Sequence, residues 1–370
     1  MPRRRLVLTV AALAAAALAA AAPAGAQLVV PPGGGGDPTA GLTARQLAGQ
    51  RIIVGFEGTR VPSAVVGRIR RGEVGGVIVF SRNIGSRAGL RSELRRLQAI
   101  RRPAGLRAPL LVMIDQEGGL VKRLDGAPTR SPAQLGAVGS ARLARSEGAA
   151  TAANLRSVGV NVNLAPVLDV GRAGSYQQRT GRSYSSRAAV VASLGSAFVR
   201  GLEAGGIAAS LKHFPGLGTV TRDEDALVQR IGLPLAALRG TDEAPFAAAI
   251  RAGASLVMTS TGRYDAFGPL PALLSPRIST SELRGRLGFA GVTITDDLNV
   301  AALTSYGSAG SVGVRAAAAG NDLLLYAQSA GDGARAVSAL ASAVSDGRLS
   351  RASMRAAAAR ILALRARLGA

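Results

Sequence analysis

"GGVIVFSRNIGSRAGLRSELRRLQAIRRPAGLRAPLLVMID", residues 75–115, sets two short apolar runs (75–80 and 109–115) on either side of a segment of helical period. Runs of β-branched and aliphatic residues with no polar alternation suit strands buried on both faces, and "SELRRLQAIRR" between them suits a covering helix. Six more runs repeat the pattern outward: "RIIVGF" (51–56), "VNVNLAP" (160–166), "IAASLKHF" (207–214), "ASLVMTS" (254–260), "GVTITDD" (291–297) and "NDLLLYA" (321–327). Helix-like stretches such as "ARLARSEGAATAANLRSVG" separate them, and "SRASMRAAAARILALRARLG" reads as a terminal helix. Strands joined by crossover helices imply a parallel sheet, and eight of them predict an α/β fold of one domain, a (β/α)8 TIM-like barrel. An open doubly wound sheet is the alternative. No G-x-G-x-x-G follows the first run, so a dinucleotide site has no support.

In a barrel of this kind chemistry gathers on the loops beyond the C-terminal ends of the strands. Asp115 and Glu117 follow the third run, Asp169 lies beyond the fourth, Lys212 and His213 end the fifth, and Asp296 and Asp297 end the seventh. Each alone would be an ordinary loop or cap residue; their shared placement on one rim is the signal. His213 is the single histidine of the chain and there is no cysteine, which counts against a zinc site and excludes disulfides. No metal and no organic cofactor are expected.

The first 26 residues read as a secretory signal peptide: "MPRRR" is its basic region, "LVLTVAALAAAALAAAA" its apolar region, and a small-residue cleavage site follows at Ala26. An uncleaved anchor is the rival, but the apolar stretch is Ala-rich and short for a span, so no stable membrane span is expected after cleavage. Residues 27–41 read as a flexible lead-in and 42–370 as the barrel. The formal charge of +23 falls by the three arginines of the leader. Arginines scattered over many helices, with aromatics at 3%, do not form a nucleic-acid surface.

With these residues in view, the chain resembles glycoside hydrolase family 3, in its single-domain β-N-acetylhexosaminidase branch. The resemblance runs in order through "GQRIIVGFEGTRVP", "GGVIVFSRNI", "VMIDQEGGLVKRL", "VNVNLAPVLDV", "GRSYS", "SLKHFPGLG", "VTITDDLNVAAL" and "SDGRLSRASMRAAAARILAL". It implies a retaining mechanism on a (β/α) barrel, with Asp296 of "TDDLNV" as nucleophile and Asp297 as a loop or cap carboxylate. It implies sugar contacts from Asp115, Arg123, Arg182, Lys212 and His213. Leu120 stands where the family has another arginine. Export to the envelope or medium is expected from the signal peptide, and the resemblance implies a monomer. Its partner is a carbohydrate, an amino-sugar oligosaccharide bearing terminal β-linked N-acetylglucosamine from peptidoglycan or chitin, and not a nucleic acid.

One departure bears on activity. The branch continues as "K-H-F-P-G-H-G-D-T-x-x-D-S-H", its last His being the acid/base, whereas this chain reads "KHFPGLGTVTRDED". Asp223 keeps the orienting aspartate, Asp225 replaces the catalytic His, and Leu217 and Thr219 replace two further residues. Three readings follow. Asp225 serves as acid/base, with neighbouring carboxylates raising its pKa. Glu224 swings in instead, although alternation along an extended loop points it the other way. Or no acid is placed and the protein is a sugar-binding pseudoenzyme. A β-glucosidase or β-xylosidase preference stays open beside the hexosaminidase one.

Overall fold

The computed structural model describes residues 37–369. The expected signal peptide, residues 1–26, lies outside the described residues. Eight parallel strands form the closed barrel: β1 (Ile52–Val54), β2 (Gly76–Val79), β3 (Leu111–Ile114), β4 (Val162–Asn163), β5 (Ala208–Phe214), β6 (Leu256–Thr259), β7 (Val292–Asp297) and β8 (Leu323–Tyr326). Each pairs with its neighbours in chain order, and β1 closes on β8 through Ile52↔Leu324 and Val54↔Tyr326. The eight strands fall within the eight apolar runs. The single barrel replaces the open sheet as the architecture.

The absence of polar alternation in those runs has a direct cause. Residues of one parity, such as Ile53, Met113, Leu256, Ile294 and Leu323, fill the barrel interior. Those of the other parity, such as Ile52, Val112, Val257 and Leu324, pack outward against the helices. Both faces are dry, so both must be apolar. The helical layer comprises α1 (Ala44–Gln50), α2 (Ser63–Arg71), α3 (Arg87–Gln98), α4 (Ala141–Arg156), α5 (Ala188–Ala204), α6 (Ala244–Arg251), α7 (Ala309–Ala318), α8 (Ala330–Ser345) and α9 (Arg351–Arg367). Between β6 and β7 the covering segment is a π-helix, Arg277–Arg286. Serines 86, 140, 308, 329 and 350 start five of these helices by accepting a backbone N–H in the first turn.

α9 closes the floor. Its Ile361 and Leu364 join the interior cluster of the barrel. Arg365 of the same helix is buried and donates through Nε to the carbonyl of Pro109, just ahead of β3, at 2.7 Å. Asp322, ahead of β8, takes Arg360 at 2.7 Å and Arg284 at 2.5 Å. Residues 37–41, the end of the stretch read as a lead-in, are not loose: Thr39 is buried and its Oγ1 accepts from Arg355 Nε of α9 at 3.0 Å. With the floor plugged, the cavity opens at the carboxyl ends of the strands. Among the described residues no helix is long and apolar enough to cross a membrane.

Candidate active site

A cavity of about 560 Å³ sits at that mouth, within the range of small-molecule sites. Asp115, Arg123, Arg182, Lys212, His213, Asp223, Asp225 and Asp296 all line it, although they come from five different strand ends and loops. The structure brings these eight residues to one place, whereas Asp169, also expected on the rim, stands buried behind His213.

The first wall is built on β3 and β4. A short antiparallel ribbon, Gln116–Gly118 with Val121–Lys122, turns directly above β3. Buried Gln116 holds it together: its Oε1 accepts from the backbone of Arg123 and Leu124 at 3.0 Å, and its Nε2 donates to the Leu124 carbonyl at 2.6 Å. That bracing aims Glu117 and Arg123 at the cavity. Asp169, beyond β4, is fully buried. Its Oδ2 lies 2.8 Å from His213 Nδ1, and its Oδ1 accepts the Leu217 N–H at 2.8 Å. The carboxylate thereby assigns the imidazole proton to Nδ1 and leaves Nε2 facing the cavity.

Consecutive strand residues ordinarily point to opposite faces, yet Lys212 and His213 both line the cavity. The ladder against β6 is interrupted between Leu211 and Phe214, and it is at this interruption that both side chains line the cavity. A second interruption, between Ile294 and Asp297 of β7, lies beside Asp296. The loop after β5 then passes close to its neighbours. Gly216 has φ +131°, and a Cβ on Gly218 would lie 2.0 Å from the Val170 carbonyl oxygen. Leu217 between them is buried.

Electrostatics divide the site into a paired half and an unpaired half. In the first, Glu117 accepts Arg182 Nε at 2.9 Å and Nη2 at 2.8 Å, and Lys212 Nζ at 2.7 Å. Lys212 also reaches Asp115 at 2.6 Å. Burial alone would raise the Glu117 carboxyl, but the two cations outweigh it and hold the group well below the usual carboxylate range. Arg123 has a buried Nε without a partner and stands 5.7 Å from the Phe80 ring, free to meet a ligand.

In the second half, carboxylates crowd one another. Asp225 is exposed at the mouth, and its partly desolvated carboxyl, facing Asp296, Asp223 and Asp297, is pushed up to about 8. Solvent at the exposed residue tempers this rise without reversing it. Asp223 accepts the Asp225 N–H at 3.2 Å and the Tyr176 hydroxyl at 3.0 Å, so it orders the loop through backbone and Tyr176. Asp297 accepts backbone N–H groups of Asn299 and Ala327 at 3.0 and 2.9 Å, the behaviour of a loop carboxylate. Burial still pushes it up to about 6. Asp296 accepts the Asp297 N–H at 2.9 Å and otherwise faces the cavity.

Glu224 corrects an expectation. It does not point away from the pocket: it is buried, with Oε1 3.6 Å from His213 Nε2. Asp223 and the turn at 224–226 break the extended geometry that alternation assumes. Burial, then Asp296 and Asp169, push its carboxyl well above the ordinary range. Sequence reasoning also passed over Tyr176, Phe80 and Arg82. Arg82 follows β2 and could have been found by the rim rule that selected Asp115. Tyr176 carries no local signal.

Comparison with known proteins gives this geometry a setting. The model of the glycosyl hydrolase family 3 N terminal domain matches residues 43–364. An uncharacterized secreted glycosyl hydrolase of Arthroderma benhamiae is 37% identical over 341 residues, covering 90% of this chain and 96% of the relative. A beta-hexosaminidase of Xanthomonas oryzae pv. oryzae is 37% identical, over 70% of this chain and 79% of its own. A family 3 beta-N-acetylglucosaminidase from a Paenibacillus species superposes with TM-score 0.84 at 36% identity, covering 88% of this chain but 63% of that longer one. A beta-N-acetylhexosaminidase from Beutenbergia cavernae superposes with TM-score 0.80 at 32% identity, covering 88% of this chain and 98% of that one.

Proposed function

The chain belongs to glycosyl hydrolase family 3, and on that premise we propose that it is an exported, retaining β-N-acetylhexosaminidase. Its substrate is a terminal β-linked N-acetylglucosamine of peptidoglycan or chitin fragments. The observation that carries this reading is that Asp296 and Asp225 line one cavity and that burial, with Asp296 nearby, pushes the Asp225 carboxyl up to about 8. A carboxyl that keeps its proton can serve as the acid beside a second carboxyl that acts as nucleophile.

In the first step Asp296 attacks the anomeric carbon, the bond from that carbon to the leaving oxygen breaks, and Asp225 transfers its proton to that oxygen. In the second, ionised Asp225 takes a proton from water. The water oxygen bonds to the anomeric carbon and Asp296 departs as carboxylate. Asp115, Lys212, Arg182 and Arg123 hold the sugar hydroxyls, Glu117 keeps the two neighbouring cations in place, and Asp223 orders the loop that carries Asp225. His213, with Nε2 toward the cavity, adds a further hydroxyl contact.

The test is hydrolysis of p-nitrophenyl β-N-acetylglucosaminide by wild type, Asp296→Ala and Asp225→Ala. The proposal expects Asp296→Ala to be inactive. It expects Asp225→Ala to lose about 10²–10⁴-fold on substrates with poor leaving groups. Azide should restore rate to Asp225→Ala by replacing the water that the lost carboxylate activates. Wild type that binds N-acetylglucosamine but turns over no faster than Asp296→Ala would make the protein a sugar-binding pseudoenzyme.

A further inference from the structure

Arginines that are scattered along the sequence are gathered by the fold onto one wall of the barrel. The helices that successively connect β2 to β6 are α3, α4, α5 and α6, and they lie side by side. Arg91 Nε of α3 donates to the carbonyl of Ser157, which ends α4, at 2.7 Å. A Cβ on Gly201 of α5 would stand 2.3 Å from the Arg145 carbonyl oxygen of α4, and α6 packs against α5. Outward from this wall point Arg87, Arg91 and Arg95 of α3, at the i, i+4, i+8 spacing of one helix face. Exposed Arg142, Arg145 and Arg156 follow on α4, and exposed Arg200 and Arg251 continue the row on α5 and α6.

The carboxylates of the same helices are turned inward. Glu93 meets Arg96 and the Val61 N–H, Glu147 meets Thr129 and Arg130, and Glu203 meets Ser255 and Arg367. Among the described residues the outward arginines are therefore left without a carboxylate partner. On α8 and α9 the pattern differs, since Arg335, Arg355 and Arg360 are matched by Asp332, Asp37 and Asp322. Two arginines of the wall also oppose the local field. Arg87 and Arg142 stand in the first turns of α3 and α4, where the helix dipole disfavours a cation and neither turn holds an acid.

We propose that this wall is a docking surface for a flexible acidic polysaccharide, a sugar chain with one carboxylate per repeat, which holds the protein in place while leaving the cavity open. The choice of a sugar polymer rests on the reading of the chain as a hydrolase of glycans. Guanidinium forks match carboxylates, and those of Arg87, Arg91 and Arg95 recur about every 6 Å along α3. The wall is convex, because its four helices wrap half of an eight-stranded barrel. A DNA duplex, stiff over about 500 Å, or a flat bilayer would touch it along one line, whereas a flexible chain bends round it. The aromatic residues of these helices, Phe198 and Phe246, are buried, so the wall offers no platform for stacking bases.

Fluorescence anisotropy of labelled α-2,8-polysialic acid, titrated with the full chain, tests the surface directly. The expected result is saturable binding at about 50 mM NaCl that weakens at least about tenfold by about 200 mM, with no binding of neutral dextran. Combining Arg95→Glu, Arg142→Glu and Arg145→Glu should weaken binding at least about tenfold. Combining Arg315→Glu, Arg348→Glu and Arg351→Glu changes the net charge equally but lies on α7, before α9 and at its start, and should retain most of the affinity. Circular dichroism checks both folds, and both variants should hydrolyse the aryl glycoside as wild type does. Absence of saturable binding, equal affinity of wild type and the first variant, or equal loss in both variants overturns the proposal. Tighter binding of a DNA duplex or of phosphatidylglycerol vesicles at the same salt overturns the choice of partner. Displacement of the polymer by N-acetylglucosamine would put it in the cavity and overturns a separate surface. A chain that binds the polymer through this wall but hydrolyses nothing would sink the hydrolase reading and leave the wall standing.

Discussion

Glu117 accepts a two-pronged contact from Arg182 and a third from Lys212 while its side chain is withdrawn from water. Removing one partner of such a group strands the others, and the penalty for an uncompensated buried charge is about 3–5 kcal/mol. Glu117→Ala should therefore lower unfolding stability by roughly that amount in urea titrations, far more than truncation of a surface glutamate; a loss near zero would contradict the pairing. Asp225 supplies a second residue-scale prediction. As general acid it must carry its proton, and a carboxyl pushed up to about 8 keeps it below that pH and sheds it above. The kcat/KM profile should fall as pH rises through about 8, and this limb should vanish in Asp225→Asn. Individual residues were legible where strand ends dictate them: Asp115, Lys212 and Asp296 follow from the rim rule alone. Glu224 was not, because its direction depends on an Asx-type turn at Asp223 that replaces simple alternation.

Elements were more legible than residues. Each barrel strand is a run apolar on both faces, and no polar alternation competes with that pattern. The π-helix Arg277–Arg286 and the ribbon over β3 were not readable, since both arise from tertiary packing rather than from local period. In the proposed mechanism activity turns on the loop after β5, because it carries Asp223, Glu224 and Asp225 across the mouth. Its entry is held by the contact of Gly218 with the Val170 carbonyl, where a Cβ would stand 2.0 Å away. Gly218→Ala should cost about 1–3 kcal/mol and reduce kcat/KM by tenfold or more, since backbone must move to admit the methyl. Gly240→Ala, where nothing lies within 4 Å of the added carbon, is the matched control and should leave both unchanged. Equal behaviour of the two variants would mean that the loop's position does not govern the site.

The whole molecule separates its charges. Four of the arginines are structural: Arg51, Arg284, Arg360 and Arg365 tie strand starts and α9 together at the floor. Carboxylates gather instead at the opposite end, around the mouth. A barrel plugged below and acidic above offers one place where a glycosyl group can be held between a nucleophile and a proton donor. The central claim is that Asp296 becomes covalently bonded to sugar. It is tested by mixing Asp225→Ala with p-nitrophenyl β-N-acetylglucosaminide, quenching, and mapping peptides by mass spectrometry. The account predicts that the good leaving group departs without proton help, that the second step stalls, and that one N-acetylhexosaminyl ester accumulates on the peptide containing Asp296. Release of p-nitrophenol with no adduct on that peptide, or an adduct elsewhere, would contradict it.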